Sequence, residues 1–136
     1  MPFESGHDRR LSVVIAEDNA GFRQNLATLI AQHKGYRIAG EARDGTEAIA
    51  MVSATHPDLV LLDISMPNIG GLAAAFEIRH ESPGTKIVFV TVHDKANYFA
   101  LADMVQVDGY ICKYNLKQEL PLLLEKVRGT IAAERL

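Results

Sequence analysis

The sequence predicts one α/β domain, a doubly wound five-stranded parallel sheet of order 2-1-3-4-5 with helices on both faces, three layers in all. Three observations carry this. Short apolar runs alternate with amphipathic stretches in the order βαβαβαβαβα, without a break. Runs such as Leu11-Ser12-Val13-Val14-Ile15-Ala16 and Leu59-Val60-Leu61-Leu62 are apolar nearly throughout, as strands covered on both faces are. Acidic, hydroxyl or ammonium side chains stand at or just past the ends of four such runs, the edge where sheets of this kind bind ligands. A length of 136 residues suits one domain, and 48% hydrophobic content is enough for its core.

The elements follow in order. Residues 11–16 form the first strand. Asn19 or Asp18 can cap a helix over 20–33, with Phe22, Leu26, Leu29 and Ile30 at helical spacing and Lys34-Gly35 as its stop. Residues 36–42 are a more polar strand, placed at the sheet edge. Asp44-Gly45-Thr46-Glu47 starts a helix that reaches about 54, where His56-Pro57 breaks it. Residues 58–62 form the third strand. Asn68-Ile69-Gly70-Gly71 is a loop, followed by a helix to about 80. Ser82-Pro83-Gly84 turns into a strand over 86–90. A helix over about 94–105 leads to a strand over 108–112, and a last helix covers 116–128. Residues 1–10 are expected to be a flexible leader, 11–129 the domain and 130–136 a tail.

Bulk charge excludes some functions. The net charge is −3, so no basic excess holds a phosphate backbone, and DNA binding by this chain alone is not expected. One cysteine, Cys112, allows no intrachain disulfide and reads as an inert core thiol. No apolar run approaches the roughly 20 residues that span a bilayer, and residues 1–10 do not form a signal peptide. A soluble, cytoplasmic protein with no membrane partner is expected.

Five residues describe one site: Glu17 with Asp18, then Asp63, Thr91 and Lys113. Each ends a predicted strand, so three carboxylates, a hydroxyl and an ammonium meet at one crevice. Alone, the acidic pair would be a solvated turn and cap; opposite Asp63 it becomes a cation site. Hard oxygen donors with room for water suit Mg2+ or Mn2+. A carboxylate in the place of Asp63 can act as a nucleophile toward phosphorus and form an acyl phosphate. One divalent cation and Lys113 nearly balance the two remaining carboxylates and a dianionic phosphoryl group. Pro67 stiffens the loop after Asp63, and Gly71 permits a tight turn before the next helix. The five histidines show no metal-ligand spacing, though His93 is placed to reach the solvent side of a phosphoryl group.

Residues 11–129 resemble the receiver domain of two-component response regulators. The resemblance rests on Glu17-Asp18-Asn19, on Asp63-Ile64-Ser65-Met66-Pro67 with Gly71 beyond it, on Thr91, and on Gly109-Tyr110-Ile111-Cys112-Lys113. It implies a flavodoxin-like (CheY-like) fold and a phosphoacceptor role for Asp63. It also implies Mg2+ held directly by Asp18 and Asp63, through water by Glu17, and by the backbone carbonyl of Ser65. Thr91 and Lys113 would bind phosphoryl oxygens, and Tyr110 occupies the aromatic switch position. A finer similarity is to the NarL/FixJ-like (LuxR-type) subfamily, carried by Glu17-Asp18-Asn19-Ala20-Gly21-Phe22-Arg23, Gly40-Glu41-Ala42-Arg43-Asp44-Gly45 and Pro57-Asp58-Leu59-Val60-Leu61-Leu62-Asp63. Three positions depart from the pattern. Met104-Val105-Gln106-Val107-Asp108 replaces a Gly-Ala turn, Val92 stands where a smaller residue is frequent, and Tyr114 replaces a frequent proline.

The resemblance implies a phosphorylation-controlled switch rather than an enzyme acting on other molecules. Its phosphoryl donor would be a histidine kinase. Its output surface would comprise the helix near 94–105, the strand 108–112 and the last helix, with a phosphorylation-dependent homodimer as one outcome. The chain would be the receiver part of a transcriptional regulator or a stand-alone receiver in a phosphorelay. A haloacid-dehalogenase-like phosphatase is the alternative from another class. It needs a second Asp two residues after the nucleophile, and Ser65 stands there.

Overall fold

The computed structural model of the chain describes residues 9–92, 103 and 105–136. Five strands, β1 (Leu11–Ala16), β2 (Tyr36–Ala42), β3 (Leu59–Leu62), β4 (Lys86–Thr91) and β5 (Gly109–Cys112), form one sheet. All pair in parallel, in the order β2-β1-β3-β4-β5. Helices α1 (Ala20–Ala31), α2 (Gly45–Thr55) and α3 (Gly71–Glu81) and a C-terminal helix (Leu116–Glu134) cover it.

The unbroken apolar strands are explained by two cores of opposite parity. Val13, Ile15, Leu59, Leu61, Val88 and Val90 point to one face, against α1 and the C-terminal helix. Val14, Ala16, Val60, Leu62, Ile87 and Phe89 point to the other, against α2 and α3. Side chains alternate across a strand, so a sheet covered on both faces needs apolar residues at successive positions.

Local chemistry fixes the helix starts. Asn19, not Asp18, caps α1, its side-chain oxygen accepting from the Phe22 amide at 2.8 Å. Asp44 caps α2 through the Glu47 amide at 2.8 Å, and Glu47 accepts in turn from the Arg43 amide at 2.9 Å. β2 is an edge strand as expected. Its Tyr36 is nonetheless buried, and the phenol donates to the Leu124 carbonyl at 2.7 Å.

The expected tail is helical as far as Glu134. Leu116, Leu120, Leu124, Val127 and Ile131 are buried along one stripe, which continues past the exposed Gly129. Lys86 pairs with Glu134 at 2.7 Å and Arg135 with Asp58 at 2.6 Å, tying down the last turn. A glycine within an amphipathic stripe is a weaker stop than the sequence reading assumed.

Of the helix expected over 94–105, only Asp103 and Val105 lie within the described residues; both are helical and Val105 is buried. Gln106 then takes a left-handed backbone with φ 59°, supplying the turn that glycine would make easily. That conformation costs a non-glycine residue roughly 1–2 kcal/mol. Arg79 offsets the cost by donating to the Gln106 carbonyl at 3.0 Å and to Asp108 at 2.9 Å. The same Asp108 oxygen accepts from the Ile87 amide at 2.8 Å, joining the turn to β4.

Candidate functional site

Strand register brings the site residues together. Ala16 stands opposite Leu62, so the next residues, Glu17 and Asp63, are neighbours, and the Asp63 amide donates to the Ala16 carbonyl at 3.0 Å. Thr91 stands opposite Cys112, so Lys113 follows at the same edge. Glu17, Asp63 and Thr91 are buried, and Asp18 is exposed at the mouth.

Lys113 organises the carboxylates. Its ammonium lies 2.5 Å from Glu17 Oε1 and 3.3 Å from Asp63 Oδ2, and 4.5 Å from the centre of the Phe22 ring. The other oxygens take backbone donors: Glu17 Oε2 accepts from the Asn19 amide at 2.9 Å and Asp63 Oδ1 from the Ser65 amide at 3.2 Å. Burial pushes both carboxyls above the ordinary carboxylate range, against the pull of Lys113 and these amides. For Lys113, burial is the largest single influence and acts downward, but its contacts with Glu17 and Asp63 outweigh it and the ammonium titrates above its usual value.

One carboxylate oxygen from each of Glu17, Asp18 and Asp63 lies within 4.8 Å of the other two. An octahedral Mg2+ shell spans roughly 4.2 Å between opposite oxygens, so three oxygens within 4.8 Å come close to the reach of one small hard cation, and their chemistry suits it. The elevated carboxyls point the same way, because a bound cation would remove the repulsion between them.

The loop after Asp63 is held by a close backbone approach. A Cβ on Gly71 would fall 2.0 Å from the Asp63 carbonyl oxygen and 2.7 Å from Ile64 Cα, while the Gly71 amide donates to the Ile64 carbonyl at 2.8 Å. Gly71 is therefore needed for contact distance and not for a left-handed turn, since no described glycine has positive φ. Gly71→Ala should lower the urea midpoint by the equivalent of about 1–3 kcal/mol and slow any chemistry at Asp63. Gly84→Ala, with nothing within 4 Å of the new Cβ, is the control and should be close to neutral.

The remaining expected positions fall as follows. Tyr110 is half-buried and meets Phe89 edge-on, ring centres 5.7 Å apart. Ser65 is exposed in the loop. Val92 is 47% exposed and so lies at the surface, outside the buried part of the site. Cys112 is half-buried, not a core thiol. His93 lies outside the described residues. Sequence reasoning missed the site contacts of Phe22 and Arg23. Helical spacing marks Phe22 only as a core position, and Arg23 donates to the Glu17 carbonyl at 2.8 Å. Their signal was proximity to Glu17 by one helical turn.

Residues 13–125 match the response regulator receiver domain family. The chain belongs to that family. Among relatives of this receiver, an uncharacterized transcriptional regulatory protein of Bacillus subtilis, YxjL, is 31% identical over 125 residues, covering 92% of this chain and 56% of that protein. The positive alginate biosynthesis regulatory protein of Pseudomonas aeruginosa is 36% identical over 118 residues, covering 85% of this chain and 46% of that protein. The crystal structure of a LuxR-family DNA-binding response regulator from Staphylococcus aureus superposes with a TM-score of 0.80 at 33% identity, covering 86% of this receiver and 98% of that chain. The likeness is thus to the LuxR/NarL group, as the sequence implied. The receiver spans about half the length of the curated relatives it matches. Among the described residues, no helix is long and apolar enough to cross a membrane.

Proposed function

We propose that this receiver, in the cytoplasm, takes a phosphoryl group onto Asp63 from the phosphohistidine of a histidine kinase and reports it as a change of surface. The observation that carries this is the meeting of Asp63 with Glu17, Asp18 and Lys113 at one sheet edge. An Asp63 carboxylate oxygen bonds to phosphorus as the donor's phosphorus–nitrogen bond breaks. The electron pair stays with the imidazole, which leaves neutral because its other ring nitrogen carries a proton. Lys113 pairs with the incoming phosphoryl oxygens, and the buried Thr91 hydroxyl donates to one of them. A Mg2+ or Mn2+ held by Asp18, Asp63, the Ser65 carbonyl and, through water, Glu17 would neutralise the carboxylates and polarise the phosphoryl group. The chain's catalysis is confined to its own phosphorylation and dephosphorylation.

Acetyl phosphate tests the reading directly. With Mg2+ the intact mass should rise by one phosphoryl group, mapped to Asp63; labelling of equal extent in EDTA would reject it.

The output is proposed to run through Thr91 and Tyr110 to the helix near 94–105, β5 and the C-terminal helix. Leu122, 74% exposed beside the half-buried Leu123, offers apolar contact area there. The sequence also offers Tyr98 and Leu101 as apolar contact residues for this surface, and both lie outside the described residues. Coupling of about 1–3 kcal/mol would shift a homodimer constant roughly 5- to 150-fold. Sedimentation with a beryllofluoride mimic should show that shift, and an unchanged state across concentration would move the output to another protein. The relatives' names favour transcription as the process this receiver serves. With a net charge of −3, this chain itself should not hold DNA.

A further inference from the structure

The opposite edge of the sheet carries a second polar feature that phosphoryl transfer does not use. A cavity of about 560 Å3 opens between the start of β1, the turn joining α1 to β2, and the last turns of the C-terminal helix. β1 separates it from Asp63 by roughly 20 Å. Arg9, Arg10, Lys34, Arg128 and Arg135 line it, against one carboxylate, Glu125. Five of the 14 lysines and arginines of an acidic chain thus face one hollow.

Glu125 and Asp58 meet Arg128 and Arg135, which leaves Arg9 and Lys34 to supply the surplus. Glu125 Oε2 is engaged by His33 Nε2 at 2.6 Å, with the Arg128 guanidinium further off at 3.8 Å. The His33 Nδ1 accepts from the Gly35 amide at 3.0 Å, so Nε2 carries the proton that binds Glu125. Arg128 lies along Gly35, where a Cβ would meet its Cδ and Nη1 at 3.1 Å. Arg135 is held at 2.6 Å by Asp58. Among the described residues, no carboxylate pairs with Arg9 or Lys34.

We propose that this cavity binds a compact organic polyphosphate of the nucleotide class. A cluster with this surplus of positive charge calls for a multivalent anion, and arginine forks match phosphate oxygens. The volume lies within the roughly 300–1,000 Å3 of small-molecule sites and is far larger than one phosphate needs. Leu11, Ile131 and Ala132 supply an apolar floor for the remainder of the ligand. A single hollow of this size on an acidic chain does not suit an extended nucleic-acid backbone, which needs a continuous basic track. Occupancy would join β1, the α1–β2 turn and the end of the C-terminal helix, at a distance from the phosphoryl site.

The test is a titration of the full chain with guanosine and adenosine triphosphates, and with inorganic tripolyphosphate, followed by amide NMR. EDTA is present so that no cation at the carboxylate edge recruits phosphates. Saturable shifts at Leu11, Gly35, Gly129 and Ala132 are expected, with tripolyphosphate weaker for want of the apolar contact. Arg9→Ala with Arg128→Ala, both exposed positions, should weaken nucleotide binding about tenfold or more. The double variant should still take up a phosphoryl group on Asp63 at the wild-type rate, which separates this site from the proposed function. Absence of saturable shifts, binding indifferent to the double substitution, or shifts confined to the Asp63 edge would overturn the proposal. Tighter binding of a DNA duplex to the same residues would also overturn it, in favour of a nucleic-acid surface.

Discussion

Asp63→Asn should eliminate phosphoryl uptake from acetyl phosphate while leaving the chain folded. The amide keeps the shape of the carboxylate and can still accept from the Ser65 amide, now at 3.2 Å. It has no anionic oxygen with which to attack phosphorus, so the loss should be of the whole signal and not a fraction. The same substitution should raise stability in metal-free buffer. Asp63 is buried, 4% exposed, and burial holds its carboxyl above the ordinary range. A carboxyl of this kind favours the folded state while protonated, a contribution fully present below its unfolded pKa and lost as pH rises through the folded value. The neutral amide does not suffer that loss, so its advantage over wild type should grow from acid toward neutral pH. Residual labelling at the wild-type rate would place the acceptor elsewhere. A variant less stable than wild type at neutral pH would mean that Lys113 stabilises the carboxylate more than burial penalises it.

The sheet and its binding edge were legible because the evidence for them is redundant. Strands β1, β3 and β4 send successive residues to opposite core layers, so continuous apolar runs such as Val13-Val14-Ile15 and Ile87-Val88-Phe89-Val90 admit few other folds. Strand order placed Glu17 beside Asp63 once the pairing was parallel, and the register of Ala16 with Leu62 does place them there. Long-range polar contacts were not legible. Nothing local to Arg79 reveals that it fastens the Gln106 turn, and nothing local to Tyr36 reveals its bond to Leu124. The end of the C-terminal helix is not legible locally, because Gly129 is a local stop signal, whereas Ile131 and the Lys86–Glu134 pair are tertiary. The basic cavity was invisible for the same reason. Its cations come from three separated segments, and the net charge of −3 conceals them.

Lys113→Ala should produce the largest loss of stability of any single change at the site. The ammonium lies 2.5 Å from one buried carboxylate and 3.3 Å from another, and its removal leaves Glu17 and Asp63 facing each other without a cation. Breaking a buried ion pair by deleting one partner costs about 3–5 kcal/mol. Protonation of the carboxyls can relieve that cost, which gives the loss a pH signature. Burial already raises both carboxyls above their ordinary values of 4.5 for Glu17 and 3.8 for Asp63, and without Lys113 they should rise further. The variant should therefore approach wild type in acid, where both carboxyls are protonated, and fall behind as pH climbs through their folded values. At the alkaline end the gap should close again from the other side. The raised pKa of Lys113 gives wild type a contribution that is present below 10.5 and lost as pH passes the folded value. Mg2+ should restore part of the deficit near neutral pH by stabilising the state that binds it. Urea unfolding at several pH values, with and without Mg2+, measures each step. A deficit that is constant with pH and indifferent to Mg2+ would assign the effect instead to the lysine's packing over Phe22, 4.5 Å from ammonium to ring centre.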